Sequence, residues 1–129
     1  MLQLAFDRAS RVLRVTVTGI YASADMEALD RMVIDALARE GPMRGIFDYS
    51  DVEAFAVPTS RLVQRAQQPA IMRDRVIVAS RVQGGEGARA FGRYQREAGE
   101  REAIIVPTLE EAYKVLHLRR PRFEPFDGL

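Results

Sequence analysis

The residues able to do chemistry in this chain sit in a few short stretches. Asp48, Tyr49, Ser50 and Asp51 follow the apolar run Gly45-Ile46-Phe47. In open α/β sheets, ligands and partners meet the protein outside the carboxyl ends of parallel strands. An acid delivered there, ahead of a loop over residues 51–58, is placed to be read by something else. With Phe55, these four residues form a candidate partner-binding edge. The competing explanation is turn formation, since Asp and Ser readily bond their own backbone. Thr59 and Ser60 come next as candidate phosphosites. A phosphate on either would sit at a helix start, where negative charge is favoured, although an ordinary N-cap uses the same residue types.

A third stretch, Gly84-Gly85-Glu86-Gly87, lies between a strand and a helix, where glycine lets backbone amides approach a phosphate. Arg81 precedes it and Arg89 follows one turn later. Arg81, Gly84, Gly85, Gly87 and Arg89 therefore make a candidate anion site. The pattern matches neither G-x-G-x-x-G nor a Walker loop, and Glu86 would repel an anion. A connecting loop explains it as well. Arg89, Arg93 and Arg96 fall at i, i+4 and i+7, giving a basic helix face that Glu97 and Glu100 dilute.

The single histidine, His117, cannot form a multi-histidine metal site. No nucleophile elbow accompanies it. It reads as a structural residue near a helix C-terminus, where positive charge suits the dipole. Cysteine is absent, which removes thiol nucleophiles, disulfides and cysteine metal sites. Asp48, Glu53 and His117 are the one acid–base set that can be assembled, and their spacing gives no reason for them to converge. The expectation is a protein that is not an enzyme, with no metal and no cofactor. Met26, Met32, Met43 and Met72, with Phe47, Phe55 and Phe91, are able to line an apolar ligand pocket, because methionine adapts to irregular gaps. Plain core filling would use the same residues.

These side chains need a scaffold, and 129 residues suffice for one domain with a real core. A net charge of +1 gives no strong overall pull toward nucleic acid or acidic membrane. The basic residues are almost all arginine, with Lys114 the one lysine. The first residues lack a basic start and a long apolar run, so they do not read as a signal peptide. No stretch has the length needed to cross a bilayer. A cytoplasmic location is the default expectation.

The pattern reads strand, strand, helix, strand, helix, strand, helix, strand, helix. Leu2 to Phe6 and Arg11 to Thr18 are strands joined by the turn residues Asp7 to Ser10, which predicts an antiparallel hairpin. Leu13, Val15 and Val17 alternate with Arg14, Thr16 and Thr18, and Gly19 ends the second strand. Ser23 is the expected N-cap of the longest helix, which carries Met26, Leu29, Val33, Ala36 and Leu37 on one face and stops at Gly41-Pro42. Gly45 to Asp48 is short and apolar, as in a buried parallel strand. Thr59 or Ser60 caps a short helix. Arg75 to Ser80 and Ala103 to Val106 are further strands. Between them lies a helix from about Ala88 to Ala98. Thr108-Leu109-Glu110-Glu111 is a capping box that opens the last helix. Alternating strands and helices predict an α/β fold, a single-domain mixed and mostly parallel sheet of about five strands with about four helices.

This order of elements resembles the STAS domain, the fold of anti-sigma-factor antagonists. It is most similar to bacterial stand-alone STAS-like proteins grouped with SEC14-like lipid-binding domains. The hairpin, the helix ending in Gly41-Pro42, the run Gly45 to Val52 with its Asp48-Tyr49-Ser50, and the capped last helix carry the resemblance over about residues 2–117. The resemblance implies a phosphorylatable serine at the start of the following helix, usually after an aspartate. Counting from Asp48 puts that position at Val57. A two-residue insertion would bring Thr59 or Ser60 there, but Pro58 precedes them and no aspartate does.

The expected organisation is a STAS-like domain over residues 1–118 and a C-terminal tail over 119–129. The expected function is a non-enzymatic regulatory or protein-binding module that docks a protein partner through the loop after the central strand. The alternative is an apolar small-molecule or lipid-binding domain of SEC14-like type. The tail is too proline-rich to extend a helix. Its Phe123 and Phe126 must pack on something, either their own domain or a second subunit in a homodimer.

Overall fold

The computed structural model describes residues 1–79 and 85–126. Strands β1 (Leu2–Asp7) and β2 (Val12–Ala22) pair antiparallel from Leu2 opposite Val17 to Asp7 opposite Val12. The turn between them is held by the Asp7 carboxylate, which accepts the Ser10 hydroxyl at 2.7 Å and the Ala9 amide at 3.3 Å. Helix α1 (Ser23–Glu40) follows directly. The expected cap, Ser23, lies inside the helix. Ala22 holds the N-cap position, and its amide donates to the Asp25 carboxylate at 2.8 Å. Gly41, at φ +81°, closes the helix with its amide on the Leu37 carbonyl at 2.9 Å.

After β3 (Arg44–Ala56) come α2 (Thr59–Ala66), β4 (Arg75–Val78), α3 (Gly85–Glu97), β5 (Ile104–Val106), α4 (Leu109–Val115) and β6 (Glu124–Pro125). The sheet order is β5-β4-β3-β2-β1-β6. The four strands from β2 to β5 are mutually parallel, while β1 runs antiparallel to both its neighbours. The sheet is therefore mixed and mostly parallel. Its sixth strand comes from the tail, which was not expected to contribute one.

Two apolar layers hold the sheet. On one face Phe6, Leu13, Val15, Val17 and Phe47 meet Met26, Leu29, Val33 and Ala36 of α1, together with Leu62 of α2 and Met72. Phe91 and Tyr94 of α3 pack against the same layer. On the other face Val12, Ile46, Val76, Val78 and Val106 meet Ala112 and Leu116 of α4. Successive residues Val12 and Leu13, or Ile46 and Phe47, thus serve opposite layers, as the pleat requires.

The two ends of α4 are well closed. The Thr108 hydroxyl accepts the Glu111 amide at 3.2 Å, as the capping-box pattern predicts. At the far end, the Leu118 amide reaches the Tyr113 carbonyl at 2.9 Å and the His117 amide reaches Lys114 at 3.1 Å. This is a Schellman motif with His117 in the left-handed position usually given to glycine, at φ 57°.

Three further sequence expectations are corrected. Gly19 does not end β2: the strand continues through it, at φ +76°, to Ala22. β3 does not stop at Asp48, and residues 51–56 are strand, not loop. Neither Thr59 nor Ser60 caps α2. Pro58 holds that position, and its carbonyl accepts the Arg61 and Leu62 amides. The tail phenylalanines pack on their own domain from opposite sides. Phe123 stacks on Tyr113 at 5.8 Å under the Arg14 guanidinium, and Phe126 meets Phe6 edge-on at 6.0 Å.

Candidate functional site

The extension of β3 beyond Asp48 is what builds a site. Beyond the core of the sheet, β2 and β3 continue as a parallel ribbon that ends with Ala22 opposite Ala56. The register slips twice. Thr16 and Thr18 face Asp48 and Asp51, and Gly19 and Ile20 face Val52 and Ala54, so β3 carries one extra residue at each slip. Each such bulge reverses the alternation of faces. As a result Tyr49, Val52 and Phe55, spaced by three and not by two, all turn toward the α1 side of the sheet.

There, Tyr49 and Phe55 line a cavity of about 90 Å³ between the sheet, α1, α2 and α3. Its walls are mainly apolar: Met26, Leu29 and Val33 from α1, Leu62 from α2, Ile71 and Met72 before β4, and Ala88 and Phe91 from α3. Tyr21 stands between the two β3 aromatics, with ring centroids 5.4 Å from Tyr49 and 5.2 Å from Phe55. The space is large enough for ordered water or a compact apolar group.

A few polar groups face this cavity. Arg75 opens β4, and its guanidinium donates to the Gln95 amide oxygen at 3.2 Å and the Arg101 carbonyl at 3.0 Å. Weaker bonds at 3.4 and 3.3 Å reach the Met72 and Arg73 carbonyls. Burial, reinforced by Arg65 and Arg101, pushes the Arg75 pKa down. Burial pushes the Tyr49 phenol up to about 12, with Asp30 adding to the rise and both Tyr21 and Arg75 opposing it. Tyr21 is raised as well, first by burial and then by Tyr49. Both phenols are held neutral, as donors. At the rim, Arg65 of α2 pairs with Asp30 of α1 at 2.9 Å. A second pair, Arg61 with Glu27 at 2.6 Å, ties the same two helices.

The residues singled out from sequence fall into different settings. Asp48 is buried in the sheet, on the α4 side, and its carboxylate accepts both the Ser50 amide at 3.0 Å and the Ser50 hydroxyl at 2.5 Å. Ser50 and Asp51 are exposed, whereas Tyr49 and Phe55 are half-buried in the cavity wall. The five do not form one surface. Thr59 and Ser60 are exposed in the first turn of α2. Of the candidate anion site, Arg81 and Gly84 lie outside the described residues. Gly85 begins α3, Arg89 is half-buried on it, and Gly87 packs against the Phe55 ring. Met26, Met72, Phe47, Phe55 and Phe91 line the cavity together, while Met32 and Met43 do not. No group of three His, Asp or Glu side chains suited to a metal occurs among the described residues.

Sequence reasoning missed Tyr21, Arg75, Gln95 and the Asp30–Arg65 pair. For Arg75 a signal exists: it is a charge fused to the apolar run Val76-Ile77-Val78. For Tyr21 the signal is hidden by Gly19, which reads as a stop.

No family model matches the chain, and no curated protein does. A solved structure does resemble it: an uncharacterised protein of the DUF3478 family from Shewanella loihica PV-4, described as having a SpoIIAA-like fold. The superposition has a TM-score of 0.57 at 13% sequence identity and covers 90% of this chain and 92% of that one. The fold is therefore SpoIIAA-like, which is the STAS-like architecture that the order of elements had suggested. No helix among the described residues is long and apolar enough to cross a membrane.

Proposed function

We propose that the protein is a non-enzymatic binding module that holds a compact, mostly apolar molecule between its sheet and helices α1, α2 and α3. One observation carries this reading: Tyr49, Val52 and Phe55 of β3 share the α1 face, and Tyr49 and Phe55 line an apolar cavity there instead of meeting solvent. Apolar walls with a few placed polar groups are the usual composition of a small-molecule site. Tyr49, Tyr21 and Arg75 supply donors, so the ligand would carry at least one hydrogen-bond acceptor. Native mass spectrometry of freshly purified protein tests the reading, with a bound mass expected. As a second arm, Leu29→Trp would fill the cavity and abolish that adduct. Protein that carries nothing, and whose melting temperature is unmoved by a panel of alcohols and ketones of about two to four carbons, would refute it.

A second reading, docking of a protein partner, is favoured by the outer side of the same ribbon. Ile20 is 60% exposed there, opposite Ala54, with Ser50, Asp51 and Glu53 also in solvent. An apolar side chain rimmed by acids is a small version of an interaction patch. On this reading, Ile20→Asp and Asp51→Ala release a partner captured from the source cell. Tyr49→Phe, which alters only the cavity side, leaves the complex intact.

A further inference from the structure

A second concave site lies at the other end of the sheet, where β2 and β3 begin. It is a pocket of about 460 Å³ lined by Arg8, Arg44, His117, Arg119, Arg120 and Arg122, with Asp7 and Glu124 among its other residues. Five arginines against two carboxylates leave a charge of +3, in a chain whose whole net charge is +1. The Asp7 carboxylate is already committed to the turn, through Ser10 and Ala9. Glu40, outside the lining, pairs with Arg8 at 3.3 Å, and two positive charges remain even when it is counted.

The cations come from three distant segments: the β1–β2 turn, the start of β3, and the residues after α4. Arg44 draws them together, since its guanidinium donates to the Leu116 carbonyl at 3.0 Å and fixes the end of α4 against the sheet. The backbone adds an independent observation. Among the described residues, the non-glycine residues at positive φ are Arg11 at 56°, His117 at 57° and Arg120 at 49°. Two of these three line the pocket, and the third is in the adjoining turn. A side chain in that conformation costs free energy that glycine avoids. His117 takes that conformation as the cap of α4, which leaves Arg120 as the pocket residue whose backbone the cap does not explain.

We propose that this pocket binds a small soluble ligand bearing clustered phosphate charges, a polyphosphate or the phosphate chain of a nucleotide. Arg119, Arg120 and Arg122 grip the anion, and Arg8 and His117 stand at the rim. Guanidinium forks match phosphate oxygens two at a time, which a single carboxylate would not require. The volume is that of a small-molecule site. The charges converge in a concavity instead of running along a face, which separates this site from the stripe a nucleic acid backbone needs.

The test is calorimetric titration with inorganic tripolyphosphate and, separately, ATP without added metal, at about physiological ionic strength. One saturable site is expected for the intact protein. The double variant Arg119→Gln, Arg122→Gln should weaken it by about tenfold or more. Arg93→Gln with Arg96→Gln, on the exposed side of α3, should leave it unchanged. His117→Gly and Arg120→Gly keep the left-handed backbone while removing the side chain. Both should raise the melting temperature and weaken the titration, a combination that a purely structural role does not give. The proposal fails if neither probe binds, or if binding survives the arginine variants. It also fails if the protein binds phosphatidylcholine vesicles carrying a phosphorylated inositol lipid but neither soluble probe.

Discussion

The ring of Phe55 occupies the space beside Gly87 so closely that a Cβ at residue 87 would stand 2.3 Å from its Cγ. β3 and α3 are thereby locked through one aromatic side chain and one missing side chain. Glycine is required here by close approach, not by backbone conformation. Gly87→Ala should therefore destabilise the fold by ~1–3 kcal/mol, the usual cost of overpacking. Phe55→Leu in the same chain should return part of that loss. Urea unfolding of the two single variants and the double variant gives the coupling. Additive effects would mean that the two residues do not touch in solution.

The two buried phenols set an alkaline limit on stability. Tyr49 titrates near 12 in the folded chain against 10.0 for a free phenol, and Tyr21 is raised in the same direction. Between those values the unfolded chain gives up protons that the folded chain keeps. Stability is then complete below pH about 10 and falls as pH rises toward about 12. Denaturant midpoints measured across this window should decline, and the decline should be shallower in Tyr49→Phe. An identical slope in the variant would place the Tyr49 hydroxyl in water.

Two ion pairs join α1 to α2, and they should differ in worth. Arg65 and Asp30 are 14% and 33% exposed, whereas Arg61 and Glu27 are 37% and 55% exposed. Solvent screening leaves the outer pair worth under ~1 kcal/mol. Removing Arg65 strands a half-buried carboxylate, and Arg65→Ala should cost ~1–3 kcal/mol. Thermal melts at low and high salt separate them. Only the Arg61→Ala deficit should vanish in concentrated sodium chloride.

The tail closes the free edge of β1, with Ala5 opposite Pro125 and the Phe126 amide on the Leu4 carbonyl at 2.8 Å. A chain truncated after Leu118 loses that cover, together with Phe123 and Phe126. Unpaired strand edges invite pairing between chains. The truncated protein should melt at lower temperature and elute from size exclusion as larger, concentration-dependent species. A truncated chain that melts and elutes like the intact one would show that the tail contributes nothing to the fold.

Much of the scaffold could be read from the sequence because its elements obey simple periods. Leu13, Val15 and Val17 alternate cleanly, Met26, Leu29 and Val33 recur at helical spacing, and Thr108 with Glu111 marks the start of α4. The working part resisted for a physical reason. Tyr49, Val52 and Phe55 repeat every three residues, a spacing neither a regular strand nor a helix produces, and only the paired bulges make it coherent. Gly19 reads as a terminator, yet here its positive φ lies at the slips inside a continuing strand. The basic pocket resisted differently, since Arg8, Arg44 and Arg122 are far apart in the chain and meet only through topology. The two tail residues of β6 are too few to leave a strand signature.

The twice-slipped strand makes pairing with β2 matter more than chain length between Asp48 and Phe55. Each slip only absorbs one surplus residue of β3, so a chain shortened at a slip would keep Phe55 opposite Tyr21 and on the same face, whereas a residue lost away from the slips must be made good by one of them. Homologous chains sharing this architecture can therefore differ by a residue in the interval and still keep the same interior.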